Sequence, residues 1–306
     1  MQETRALILD RLADGPVSGP TLASELDISR AAVWNHVETL REAGFEIRDT
    51  DDGYTLAAVP EFGGAATAFE LDADFEVEYH DELASTNATA RDRASEGAEN
   101  VVVVAERQTG GRGRLDRDWE SPDGGVYASL VVRPDLPPAH APVYTLAAAV
   151  AVADAARDAG VDAGIKWPND VQVDGRKLAG ILTEMEGEAD RVSWLVVGIG
   201  ANANVDPADL PRGTSIESEV GPVTRREFLA SIVDRFAELT DDVESIVPAW
   251  RERAVTLGQQ VRVETPRETI EGEAIDVEFP GTLLVETDDG VRRVTAGDCE
   301  HLRPRE

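Results

Sequence analysis

Eleven residues, Arg107-Gln-Thr-Gly-Gly-Arg-Gly-Arg-Leu-Asp-Arg117, contain four arginines (Arg107, Arg112, Arg114 and Arg117) and one acid, Asp116. Gly110, Gly111 and Gly113 let the backbone bend and present N–H groups, and each guanidinium adds a fork of donors. Together they make an anion site, for phosphate or carboxylate. The plainer account is a flexible surface loop. The background weighs against it. The chain holds 60 Asp plus Glu against 29 Lys plus Arg, a net charge of −31, so positive charge concentrated beside glycines argues for a bound anion.

Of the 29 basic residues only Lys166 and Lys177 are lysines. Lys166 lies in Ile165-Lys-Trp-Pro-Asn169-Asp170 and Lys177 in Arg176-Lys-Leu-Ala-Gly180-Ile-Leu-Thr-Glu184. Lysine is a compact point charge that follows a developing negative charge better than a fixed guanidinium does. Taken alone, Lys166 reads as a surface lysine before a Pro-Asn turn. Gly180, inside a strand pattern, suggests a backbone approached closely by a ligand. Ser85-Thr86-Asn87 reads as a helix N-cap, and its small polar groups also suit an uncharged polar ligand head. Gly198-Ile-Gly-Ala-Asn202-Ala-Asn204 lacks the third glycine of a dinucleotide fingerprint.

These segments need elements to hold them. Val101–Ala105 is a run of β-branched residues that reads as a buried strand at the base of the arginine loop. Hairpins beside long helices between about 69 and 256 predict a mixed or antiparallel sheet rather than a doubly wound parallel one. Residues 1–57 read as helix, helix, tight turn, helix and hairpin, the order of a winged helix-turn-helix. Ser29 is a good N-cap for the third helix, and Gly44 ends it. Residues 58–68, with Pro60, Gly63 and Gly64, read as a linker. From 257 to 306 short strands separated by Pro280-Gly281 and Asp288-Asp289-Gly290 predict a small β-barrel. The fold class is therefore α+β and multidomain.

Composition excludes several classes. At 306 residues, and roughly 150 per domain, the chain has room for two or three domains. A 42% hydrophobic content is too high for a disordered acidic chain. The acid excess and scarcity of lysine point to a high-salt cytosol, a statement about solvent rather than function. One cysteine, Cys299, makes no internal disulfide and indicates a reducing compartment. The first residues do not resemble a secretion signal. The apolar stretch Val143–Ala156, interrupted by Asp154, reads as a packed helix, so a cytoplasmic protein with no membrane partner is expected. His36, His80, His140 and His301 are too scattered for a metal site, and none is expected.

In this order and spacing the segments resemble those of biotin–protein ligases, and most of all the bifunctional kind in which a winged helix precedes the ligase and represses biotin genes. The resemblance runs through Gln108…Gly-Gly-Arg-Gly-Arg-x-x-Arg-x-Trp119, Lys166-Trp-Pro-Asn-Asp170, Arg176-Lys-Leu-Ala-Gly-Ile-Leu…Glu184, Gly198-Ile-Gly…Asn202 and Ala296-Gly-Asp…Leu-Arg303. It extends to Ser29-Arg-Ala-Ala-Val-Trp at the start of the third helix. Lipoate ligases share the catalytic fold, but their glycine-richer arginine loop is absent here.

The resemblance implies a class II synthetase-like ligase domain and a Src-homology-like C-terminal β-barrel. It implies a two-step reaction in which ATP and biotin, with Mg²⁺, give biotinyl-5′-adenylate and pyrophosphate. A lysine of a biotin carboxyl carrier protein, on its biotinyl domain, then takes the biotin. By the same resemblance Ser85, Thr86, Asn87, Gln108, Arg112, Gly113, Arg114 and Lys166 line the site, with Lys166, Arg114 and Arg112 as the catalytic group. Gly111, Arg117, Trp119, Asn169, Asp170, Lys177, Gly180 and Asn202 complete the binding set. One departure stands out: Asp116 occupies a loop position where the family often has glycine.

The winged helix is a separate question. Residues 1–57 carry 5 Arg against 11 Asp plus Glu, a net charge of −6, which is poor for phosphate contact in dilute salt. Ser29, Arg30, Asn35 and His36 are the expected readers of operator DNA. The alternatives are a winged helix kept for packing or homodimer contact, and a biotin-sensing repressor without transferase activity.

Overall fold

Ile8, Leu9, Leu12, Leu22, Val33, Val37 and Leu40 recur at helical spacing and are fully or almost fully buried against one another. They belong to α1 (Glu3–Ala13), α2 (Gly19–Glu25) and α3 (Arg30–Glu42). The hydroxyls of Ser18 and Ser29 cap the second and third helices, accepting from Thr21 N at 3.2 Å and Ala32 N at 3.1 Å. Strands β1 (Glu46–Thr50) and β2 (Gly53–Ala58) form the antiparallel wing. Gly53 turns it at φ +121°, where a Cβ would meet Val17 O at 2.4 Å. This computed structural model describes residues 3–302; Arg303, the last residue of the motif beginning at Ala296, lies outside the described residues.

Part of the segment expected as a linker is helical, because α4 runs over Gly64–Glu70. The reason is apolar: Ala66 is buried in the winged-helix core, where Ala65 and Phe69 also pack, and Phe69 meets Phe45 edge to face at 6.2 Å. Glycine and proline content concealed this amphipathic turn.

The central region adds β3 (Glu76–Leu83), α5 (Thr86–Ser95), β4 (Val101–Gln108), β5 (Val126–Val132), α6 (Pro142–Asp158), β6 (Gly164–Lys166), β7 (Asp170–Val173), β8 (Arg176–Gly187) and β9 (Val192–Ala201). Helices α7 (Ile216–Val220), α8 (Arg225–Asp241) and α9 (Val243–Arg253) follow. Seven strands form one mixed sheet in the order β3-β4-β5-β9-β8-β7-β6. Only the β3–β4 pair is parallel. The alanine-rich α6 is buried along most of its length between this sheet and the helices α8 and α9. Small side chains allow that close approach.

Strands β10 (Gln260–Glu264), β11 (Thr269–Glu278), β12 (Thr282–Thr287), β13 (Gly290–Val294) and β14 (Asp298–His301) form an antiparallel sheet in the order β13-β12-β11-β10-β14. Its end strands β13 and β14 are not paired with each other, so hydrogen bonding does not close the small barrel. Trp167, fully buried, docks this unit on the central one by donating from Nε1 to Gly281 O at 2.9 Å.

Candidate active site

Strand β4 ends at Gln108, and the chain then loops out and back through the arginines before β5. Trp119 N donates to Gly111 O at 3.0 Å and Gly113 N to Arg117 O at 2.8 Å, closing the loop into a tight excursion. At its tip Leu115 is 72% exposed and adopts φ +57°, a left-handed conformation that costs a non-glycine residue energy. The loop roofs a cavity of about 470 Å³ over the ends of β4, β8 and β9.

The floor of the cavity is polar and ordered. Thr86 N donates to Gln108 Oε1 at 2.8 Å, and Gln108 Nε2 donates to Ser121 Oγ at 3.0 Å. Asn87 Nδ2 donates to Leu182 O at 3.2 Å and Glu184 Oε2 at 2.8 Å, while its Oδ1 accepts from Ser129 Oγ at 2.6 Å. Ser85 caps α5, as its type and place predict.

Glycines make room for this wall. A Cβ on Gly198 would lie 2.0 Å from Asn87 Oδ1, and one on Gly200 2.5 Å from the Trp119 ring. Gly180, expected to admit a ligand, lines the cavity and also faces Lys177 Nζ and Trp119, each about 3 Å from where its Cβ would stand. Trp119 thus lies against β8 and β9, with Lys177 Nζ 5.1 Å from its ring centroid. Its indole Nε1 is buried without a hydrogen-bond partner among the described residues.

Charge in the cavity is mostly paired. Arg112 bonds Asp118, Arg117 bonds Asp298, and Lys177 lies 2.7 Å from Asp170. Arg114 differs, because its bonds go to neutral oxygens: Nη1 to Asn169 Oδ1 at 2.9 Å and Nη2 to Gly297 O at 2.7 Å. Burial pushes its guanidinium below the ordinary arginine value, against the pull of Asp298 and Asp170. Among the described residues no carboxylate bonds this partly desolvated cation. The Asp298 carboxyl is held below its usual range first by the Arg117 hydrogen bond, with Lys166 and Arg114 adding to it.

Of the residues expected at the site, Ser85, Thr86, Asn87, Gln108, Arg112, Gly113, Arg114, Arg117, Trp119, Asn169, Asp170, Lys177 and Gly180 line the cavity. Gly111, Lys166 and Asn202 are not among the described lining residues. Gly111 is buried at the base of the loop, where a Cβ would meet Trp119 O at 2.6 Å. Asn202 holds the chain behind the site, donating to Thr214 O at 3.0 Å. Lys166 is half-buried at the end of β6, and its charge acts on Asp298, which lines the cavity, and on Cys299 and His301 beside it in β14.

Sequence reasoning did not assign Arg212 or Asp298 to the lining, or Ser121 and Ser129 to its support. Asp298 had a signal in Ala296-Gly-Asp; the two serines had none. Cys299 is buried and its thiol is pushed up to about 11, which makes it inert as a nucleophile. In the winged helix Ser29, Arg30 and Asn35 are exposed, whereas His36 is half-buried. Trp34, not singled out as a reader, is 54% exposed on the same helix.

Comparison with known proteins agrees with this architecture. Residues 79–202 match the biotin/lipoate A/B protein ligase family, residues 256–302 the biotin protein ligase C-terminal domain, and residues 4–55 a helix-turn-helix domain. The chain is 37% identical to the bifunctional ligase/repressor BirA of Bacillus subtilis, with 93% of each chain covered. It is 30% identical to BirA of Escherichia coli, with 94% of each covered. Its fold is similar to biotin protein ligase from Aquifex aeolicus in complex with biotin and ATP, at TM-score 0.64 and 24% identity over 74% of this chain and 99% of that one. With its helix-turn-helix domain, ligase domain and C-terminal β domain in that order, the chain belongs to the biotin protein ligase family, in its bifunctional ligase/repressor form.

Proposed function

We propose that the cavity activates biotin with ATP as biotinyl-5′-adenylate and passes the biotinyl group to a lysine of a biotin carboxyl carrier protein. The observation that carries this reading is the pairing, in one cavity, of a neutral, hydrogen-bonding floor with a half-buried arginine whose bonds among the described residues go to neutral oxygens. The floor suits an uncharged polar head, and Arg114 suits the carboxylate or the α-phosphate that meets it. Attack of a carboxylate on a phosphate brings two anions together, and Arg114, backbone N–H groups of the loop and Lys166 offset that repulsion. Arg112 and Arg117 join them by exchanging Asp118 and Asp298 for phosphate oxygens. The loop over the cavity excludes water, which otherwise hydrolyses the adenylate.

Mg²⁺ enters as part of the nucleotide substrate. The lining carboxylates Asp118, Asp170 and Asp298 are each ion-paired, and no group of three acidic, His or Cys ligands occurs among the described residues. That donor set does not fit a resident metal, and phosphate oxygens supply the ligands Mg²⁺ prefers.

The winged helix binds operator DNA through Ser29, Arg30 and Asn35, which are exposed at the N-cap and along the first half of α3. A reducing, high-salt cytosol fits the buried lone thiol and the charge of −31. The deciding experiment is biotin-dependent ATP–pyrophosphate exchange at molar KCl, followed by biotin labelling of a carrier biotinyl domain. Exchange with lipoate but not biotin overturns the substrate. Exchange without labelling overturns the transfer.

A further inference from the structure

Ser129 lies in the middle of β5, is fully buried and does not line the cavity. Its hydroxyl has one proton and two acceptors within reach: Asn87 Oδ1 at 2.6 Å and Thr86 Oγ1 at 2.8 Å. One proton cannot serve both fully. The surrounding bonds fix which acceptor is left short. Asn87 has committed both amide protons, to Leu182 O and Glu184 Oε2, and Ser129 is the donor that its Oδ1 has. Thr86 donates its own proton to Gln108 Oε1 at 3.2 Å, an oxygen already held by Thr86 N. Gln108 in turn gives one Nε2 proton to Ser121 and keeps the other.

We propose that Ser129 is a positioning residue for the head of the ligand: its hydroxyl, 2.6 Å from Asn87 Oδ1 and 2.8 Å from Thr86 Oγ1, fixes both side chains in the wall, and Thr86, whose own proton goes to Gln108, accepts from a ligand N–H. Beside it the remaining Gln108 N–H donates to a ligand carbonyl. The two groups together fit an –NH–C(=O)– edge, and this assignment rests on biotin, whose ureido ring carries that edge, being the ligand. A bound N–H completes Thr86 and leaves the Ser129 proton wholly to Asn87. The wall is therefore anchored one layer behind its surface, by a residue the ligand never touches. Without the Ser129 hydroxyl, Asn87 Oδ1 is a buried acceptor without its donor and both side chains lose their anchor.

The test uses full-length protein, biotin affinity by calorimetry and pyrophosphate exchange kinetics. Biotin-dependent exchange by the unaltered protein tests the ligand assignment by itself. The positioning role is then read in variants. Ser129→Ala is expected to weaken biotin binding about tenfold, with the KM for ATP and kcat at saturating biotin within twofold of the parent. In a Thr86→Val background the same substitution is expected to add less than it does in the parent, because only its effect through Asn87 remains. Ser129→Cys keeps the volume and a weak donor and is expected to fall between, which also carries the test should the alanine variant not fold. Biotin affinity unchanged in both Ser129 variants overturns the proposal. So does an equal change in the ATP and biotin constants, or multiplication of the Ser129 and Thr86 effects, the pattern of general loosening.

Discussion

Arg225 and Glu61, 164 residues apart in sequence, are joined by a forked ion pair, Nε to Oε1 at 3.0 Å and Nη2 to Oε2 at 2.8 Å. The same guanidinium donates to Glu106 Oε1 at 2.8 Å and lies 4.4 Å from the ring centroid of Phe62. Glu61 belongs to the segment leaving the winged helix, Arg225 opens α8, and Glu106 is two residues before Gln108 in the cavity floor. One buried arginine therefore ties the linker to the strand that carries the site. Arg226 reinforces it, bonding Glu70 and Pro60 O.

Arg225→Met should destabilise the protein by about 2–3 kcal/mol. Removing one partner of a buried pair costs roughly 3–5 kcal/mol, and Glu61, whose side chain is 48% exposed, recovers part of that by solvation. Limited proteolysis is expected to cut near residues 58–63 faster in the variant than in the parent. Equal cutting, with equal midpoints of thermal unfolding, contradicts the clamp.

Arg114→Ala should lower the rate of pyrophosphate exchange about a hundredfold or more, the loss typical of removing one preorganised donor to a developing anion. Arg112→Ala should cost less, because Arg112 is exposed and already neutralised by Asp118. Arg114→Lys should recover little, since an ammonium cannot hold Asn169 Oδ1 and Gly297 O in the same fork. Side-by-side exchange assays of the three variants give the ranking directly.

Lys166→Ala should reduce adenylate formation by about two orders of magnitude while biotin affinity stays within threefold. Its charge acting on Asp298 gives the reason. Lys166 adds to the Arg117 hydrogen bond in holding that carboxylate ionised, and on the proposed reaction Arg117 exchanges it for phosphate. Calorimetry with biotin alone separates binding from exchange. Unimpaired biotin-dependent exchange removes Lys166 from the chemistry.

The sequence carried the arginine loop, the lysine segment and the Ser85–Asn87 cap because each is a local pattern with a local physical reason. It also carried the order of the three folded units, since helical and two-residue periodicities change visibly between them. What it did not carry is pairing across distance. Nothing near Lys166 says that its charge acts on β14, and nothing near Gly180 says that Lys177 and Trp119 stand against the space its missing Cβ leaves. Ser129 sits in an ordinary strand run, Val126–Val132, whose apolar neighbours give no hint of a buried relay. Helix α4 escaped notice because two glycines and a proline precede the alanines that pack it.

His301 gives stability a pH dependence near neutrality. Burial holds its imidazole below the ordinary value of 6.5, with Lys166 adding to the effect, and its Nε2 lies 3.1 Å from the Thr256 hydroxyl. The folded state therefore binds a proton less readily than the unfolded chain. Its contribution is fully present above 6.5 and is lost as pH falls through that value toward the depressed one. The midpoint of thermal unfolding should drop between pH 7.5 and pH 5 more steeply in the parent than in His301→Gln. In Lys166→Ala the imidazole should titrate higher, as followed by its ring-proton NMR shifts. A His301 titration at or above 6.5 in the parent contradicts the assignment.

DNA recognition by an acidic winged helix calls for a contact that salt does not screen. Residues 1–57 have a net charge of −6, so the counterion-release term that dominates most DNA binding is small here and fades further in molar salt. Trp34, 54% exposed on α3 between Arg30 and Asn35, offers an apolar face suited to thymine methyl groups in the major groove. Trp34→Ala should therefore weaken binding to the protein's own biotin-gene promoter about tenfold at molar KCl. Arg30→Ala should lose its effect as KCl rises from 0.2 to 2 M. The parent should show a slope of log affinity against log salt shallower than about −3, fewer phosphate contacts than a basic repressor makes. Biotin-dependent gel shifts across that salt range measure all three quantities. A steep slope together with an inert Trp34 places the affinity in phosphate contacts after all.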